Sequence, residues 1–124
     1  MMCYTIEELE VIFMPNNVQK IVNDFLKKVE EVLGNRLRKI ILYGSYARGD
    51  YNRSSDIDIM ILTDLDNAEI EQYRNTISDI AFDMELETGF IISPLIKNIE
   101  KYNDRIDVIP FYMNVNKEGV ILHG

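Results

Sequence analysis

Two aspartates one residue apart, Asp56 and Asp58, open the apolar run DIDIMILT, and a Gly-Ser pair, Gly44-Ser45, follows the apolar run RKIILY upstream of them. On an extended strand side chains alternate between faces, so Asp56 and Asp58 project to one side while Ile57, Ile59 and Ile61 line the other. Their Cα atoms would lie about 6.6 Å apart, close enough for the two carboxylates to converge on one cation. Like charges so placed repel, and an uncompensated buried carboxylate is costly, so the pair calls for a positive partner. A hard divalent ion suits it. Mg²⁺ takes oxygen ligands and is typically held by one or two carboxylates together with the phosphates of a substrate.

The Gly-Ser pair supplies a place for those phosphates. Gly44 has no Cβ, which permits a sharp turn and close approach of a ligand to the backbone. If SYAR then begins a short helix, its first N–H groups and the Ser45 hydroxyl face outward towards an anion. Arg48 and Arg53 are candidates for charge-assisted contacts to a polyphosphate, although Arg48 is equally suited to an ion pair with Asp50 or another surface acid and Arg53 reads first as a turn residue in DYNRSS.

The elements that must hold these groups can be read from periodicity. Val18, Ile21, Val22, Phe25, Val29, Val32 and Leu33 recur at helical steps before Gly34, predicting a helix. RKIILY (38–43) and DIDIMILT (56–63) predict two strands, the first buried on both faces. Ile70, Tyr73, Ile77, Ile80, Ala81 and Met84 form an amphipathic stripe between Asn67 and Thr88, predicting a long helix. FIISPLI (90–96) predicts a third strand, pushed towards a sheet edge by Pro94. KNIEKY suggests a helix, IDVIPFYMNVNKEG a loop and a helix ending near Gly119, and VILH a terminal strand. A short helix is also expected after Thr5, whose spacing to Glu8 matches a capping box. This order describes an α+β fold, a small mixed β-sheet packed against α-helices.

Composition narrows the partners. With 124 residues and 47% hydrophobic content, the chain is expected to form one domain spanning 1–124. Thirteen basic residues against twenty-one acidic give a net charge of −8, which opposes loose attachment to a nucleic-acid backbone or an anionic membrane. Cys3 is the sole cysteine and has no partner for an internal disulfide, and no apolar run approaches a membrane span. The opening residues carry acids where a signal peptide has a basic start, so the expected location is the cytoplasm.

Gly44-Ser45, ten intervening residues and Asp56-Ile57-Asp58, written out as GSYARGDYNRSSDID, resemble the signature of the DNA polymerase β nucleotidyltransferase superfamily, and within it the minimal nucleotidyltransferases. The resemblance implies the polymerase β palm-like fold, with Ser45 in contact with a nucleoside triphosphate beside Gly44 and Arg48. It further implies Asp56 and Asp58 as the catalytic ligands of Mg²⁺, and transfer of a nucleoside monophosphate, AMP from ATP in the first instance, to a hydroxyl acceptor. Minimal members are commonly paired with a helical HEPN-type toxin that they modify on a tyrosine. That pairing, or self-association, would supply the acceptor platform that so short a chain lacks.

One departure matters. The superfamily places a third carboxylate on the strand after the long helix, and the corresponding segment TGFIISPLI has no acid. Glu85, Glu87 and Asp107 are the nearest candidates in the sequence. A chain without that group could instead be a catalytically silent nucleotide-binding or antitoxin subunit that keeps the fold.

Overall fold

The computed structural model describes residues 14–124, together with the backbone of a two-residue strand at the N-terminus. The helix expected after Thr5 and the surroundings of Cys3 lie outside the described residues. In chain order the elements are β1 (Met2–Cys3), α1 (Asn16–Leu33), β2 (Leu37–Tyr43), α2 (Ser45–Arg48), β3 (Ile57–Thr63), α3 (Asn67–Thr88), β4 (Ile92–Asn98), α4 (Ile99–Arg105), α5 (Pro110–Glu118) and β5 (Val120–His123), with a 3₁₀ turn at Gly34–Arg36.

The strands form one mixed sheet in the order β1-β5-β2-β3-β4. β2 runs antiparallel to both its neighbours, β3 and β5, while β4 lies parallel to β3. β4 pairs with β3 alone, so Pro94 sits on an edge strand, where its missing N–H costs no ladder bond if that side faces out. It pairs opposite Ile59 without breaking the register.

Alternation along the strands divides the interior in two. Ile40, Leu42, Ile57, Ile59 and Ile61 face one way and pack with Val22, Phe25 and Val29 of α1 and Ile70, Ile77, Ala81 and Met84 of α3. Ile41, Met60 and Leu62 face the other way, against Tyr102 of α4 and Val115 of α5, in a smaller cluster. The amphipathic stripes predicted for 18–33 and 67–88 are therefore the larger core. α3 opens on a capping box, in which the Asp66 side chain accepts from Glu69 N and Glu69 accepts from Asp66 N.

The position of α5 follows from β5. Ile121 pairs with Ile41 and Val120 with Leu42, so the helix immediately before β5 must lie over the end of β2. Gly119 lets it come close, since a Cβ there would overlap Val115 O and Ile41 Cγ2. No helix among the described residues is long and apolar enough to cross a membrane.

Candidate active site

The β2-α2 turn and the start of β3 are neighbours because Tyr43 and Asp58 are paired residues of the antiparallel ladder. Asp58 is in turn paired with Ser93 of β4, so Tyr43, Asp58 and Ser93 form a row across three strands. All three lie on the sheet face that carries α4 and α5. Gly44 takes φ 74° and ψ −155°, a backbone region open in practice to glycine alone. A Cβ on Gly44 would overlap Asp58 Oδ2 and come within 3.2 Å of Cγ, so the glycine is required twice, for its turn and for the acid beside it.

Beyond Gly44, SYAR is the short helix expected. The N–H groups of Ala47 and Arg48 bond Gly44 O at 3.1 Å each, and the first N–H groups of α2 have no carbonyl one turn earlier within the helix. The Tyr46 and Tyr51 rings stack at 4.4 Å with an interplanar angle of 10°, pinning the loop DYNRSS back on the turn. Tyr46 is only 1% exposed, so this end of the loop is anchored in the core.

Asp56 lies one residue before β3 and is exposed, while Asp58 is half-buried inside it. Ser93 Oγ donates to Asp56 Oδ2 at 3.2 Å. Burial, and then the charge of Asp56, push the Asp58 carboxyl above its ordinary value, with Arg48 opposing in part. Burial likewise pushes the Tyr43 phenol up to about 12, with the charge of Asp58 adding to it. Asp58 thus feels the charge of Asp56 with only partial compensation from Arg48, an environment that a divalent cation would relieve. Two hard oxygen donors beside a turn with open backbone N–H groups are a donor set that would suit a hard divalent ion such as Mg²⁺.

A cleft of about 550 Å³ opens against Asp58, lined by Tyr43, Gly44, Ser45 and Arg48 on one side and by Phe111, Asn114, Val115 and Glu118 of α5 on the other. That volume lies within the usual range for small-molecule sites. Arg48 supplies the positive charge among these lining residues. Its guanidinium is shared between Asp50, at 3.2 Å from Nε, and Glu118, at 3.5 Å from Nη1. The Asp50 pairing read from the sequence is present, and Arg48 lines the cleft as well.

Other candidates fall elsewhere. Arg53 lines a second, more apolar cavity with Pro15, Val18, Tyr46, Tyr51 and Phe90. Asp56 is absent from the lining of the main cleft and reaches the site through Ser93 and through its field on Asp58. Glu85 and Glu87 belong to α3, which packs on the opposite sheet face from Asp58, and Asp107 is exposed beyond α4. Among the described residues no three His, Cys, Asp or Glu side chains gather as a metal cluster. The residue beside Asp58 on β4 is Ser93, a neutral hydroxyl.

Sequence reading missed Phe111, Asn114 and Glu118. Their spacing puts them on one face of a helix, a signal present in PFYMNVNKE, but which loop that face meets depends on β5 returning beside β2.

Residues 18–120 match the family model of the nucleotidyltransferase domain. A Methanocaldococcus jannaschii chain named as a candidate protein adenylyltransferase is 35% identical over 107 residues, covering 86% of this chain and 99% of that one. A second such chain from the same organism is 36% identical over 77 residues, covering 62% and 76%. Among solved structures, a candidate nucleotidyltransferase from Sulfolobus solfataricus superposes with a TM-score of 0.58 at 19% identity, covering 85% of this chain and 80% of that one. The toxin–antitoxin pair MntA-HpeT gives a TM-score of 0.52 at 21% identity, covering 83% and 72%. These likenesses show a shared fold, and the match along 18–120 shows more: the chain belongs to the nucleotidyltransferase domain family and is a nucleotidyltransferase.

Proposed function

We propose that the protein transfers AMP from ATP to a hydroxyl acceptor, the acceptor oxygen bonding to the α-phosphorus as the bond to the β-phosphate breaks and pyrophosphate leaves, with Mg²⁺ held by Asp56 and Asp58 and the triphosphate lodged against Gly44, Ser45 and Arg48. The observation that carries this reading is the seating of the Asp58 carboxylate on Gly44, in a cleft lined on that side by the open start of α2 and on the other by α5. In that arrangement the turn binds and orients the triphosphate and Arg48 balances its charge. The Ser93 hydroxyl holds the Asp56 carboxylate. A divalent cation at the acids supplies charge stabilisation at the reacting phosphorus and a lowered pKa for the attacking hydroxyl. The naming of relatives as candidate protein adenylyltransferases supports a protein acceptor, and one structural neighbour is a toxin–antitoxin complex with AMP-PNP. A tyrosine on a HEPN-type toxin is the acceptor that the motif resemblance implies.

Purified protein incubated with α-labelled ATP and Mg²⁺, with and without lysate from its source, tests the reading. Label should appear on a protein band, and Asp56→Asn with Asp58→Asn should remove it without loss of fold by circular dichroism. Transfer that persists in the double variant would place the chemistry elsewhere. Ser93 favours a second reading, a catalytically silent antitoxin or nucleotide-binding subunit, because it stands where a third carboxylate would complete the metal site. That reading expects ATP binding with no transfer to any acceptor, and Ser93→Asp is the substitution that would introduce the missing charge.

A further inference from the structure

The far wall of the cleft carries chemistry that a triphosphate does not use. Phe111 is 41% exposed although it is a large ring, and it meets Tyr43 edge-on with centroids 5.5 Å apart. One turn along the same helix, Asn114 lines the cleft, exposed, and its amide makes no hydrogen bond among the described residues. A further turn brings Glu118, whose Oε2 faces Arg48 and whose other oxygen is unengaged among the described residues. An exposed ring offers a face for stacking, which strengthens binding about 5- to 150-fold per base in single-stranded nucleic-acid complexes. An unpaired amide offers one donor and one acceptor side by side.

We propose that Phe111 and Asn114 form the base subsite of this cleft and select adenine, an inference that rests on the triphosphate lying at Gly44 and Ser45 as proposed above. The amide pairs in bidentate fashion with the N7 acceptor and the N6 amino donor of adenine. Guanine presents O6 in place of the amino group, so its oxygen would face the Asn114 carbonyl and the nearby Glu118 carboxylate, acceptor against acceptor. Pyrimidines lack the second ring and cover less of Phe111. The helix thus serves as a base reader opposite a turn that grips phosphate. Asn114 is exposed on its helix, and alanine is the better helix former, so its removal should leave the fold in place.

Calorimetric titration of the intact chain with ATP, GTP, CTP, UTP and inorganic tripolyphosphate, each with Mg²⁺, tests the assignment. The wild-type protein should bind ATP about tenfold or more tightly than the other nucleotides, the scale of one good bidentate pair. Asn114→Ala should remove that preference and leave tripolyphosphate binding unchanged. Phe111→Ala should weaken all four nucleotides and again spare tripolyphosphate. Equal affinity for the four nucleotides, or an ATP preference that survives Asn114→Ala, would overturn the base subsite while leaving the phosphate site intact. Binding of neither tripolyphosphate nor any nucleotide would overturn both.

Discussion

Gly44 and Asp58 form the smallest unit on which the site depends. The glycine holds a backbone conformation that costs a side-chain-bearing residue about 1–3 kcal/mol, and its missing Cβ is the space that the acid occupies. Gly44→Ala therefore carries two penalties, backbone strain and collision, and only the second depends on Asp58. In an Asp58→Ala background the collision disappears, so the double variant should lose less stability in urea unfolding than the sum of the two singles. Additivity within about 0.5 kcal/mol, the scatter of independent sites, would mean that the two residues do not share this space. Asp58 was legible in the sequence because an acid in an apolar strand needs a reason. The space beneath it was not, because only the register of β2 against β3 brings Tyr43 and Gly44 alongside.

The elements followed the local pattern closely. The helix at Asn67–Thr88 and the short SYAR helix appear where periodicity and the glycine placed them, because their core stripes and caps are local properties. β4 begins at Ile92 and ends at Asn98, two residues later than the FIISPLI reading at both ends. The apolar run continues back through Phe90 and Ile91 although the ladder does not, so hydropathy alone places the start two residues early. That boundary also decides which residue meets Asp58, and it is Ser93. What the sequence does not display is the layering that keeps Glu85 and Glu87 on the far side of the sheet. Another joint between elements is equally hidden: Asp64, after β3, accepts from Arg36 Nε at 2.5 Å and Arg38 Nη2 at 2.6 Å, and Arg36 also reaches Glu69 at 3.3 Å. The Arg36 hydrogen bond, with help from Arg38, holds the Asp64 carboxyl below its ordinary 3.8. Its folded value is lower than its unfolded one, so its contribution to stability is complete above 3.8 and disappears as pH falls through the folded value. Urea midpoints of wild type and Asp64→Asn should differ by a constant amount at neutral pH and converge only in that acid window. A difference that persists below it would mean that the arginines do not favour the charged form.

At the scale of the whole molecule, the sheet divides the protein into unequal halves, and the candidate site belongs to the smaller one. α1 and α3 share an extensive core on one face, whereas α5 is held by Val115 and a few partners, Ile41, Met60, Leu62 and Tyr102 among them. Elements with fewer buried apolar contacts open at lower free energy, so amides of α5 should exchange with solvent faster than those of α1. The cleft lies between α5 and the Gly44-Ser45 turn, so a ligand bridging the two walls would close the half that opens most readily. At a ligand concentration of about 100 times Kd, such linkage stabilises by about 2.7 kcal/mol, enough to slow local exchange about 100-fold. Saturating ATP with Mg²⁺ should therefore protect the amides of α5, while those amides of α1 that exchange by local fraying, which leaves the ligand bound, stay unchanged. Tripolyphosphate, which reaches one wall alone, should protect the turn and not the helix. Exchange rates on α5 that match α1 in the free protein, or that ignore ATP at saturation, would show that the helix is part of the rigid body and is not a wall that the nucleotide draws in.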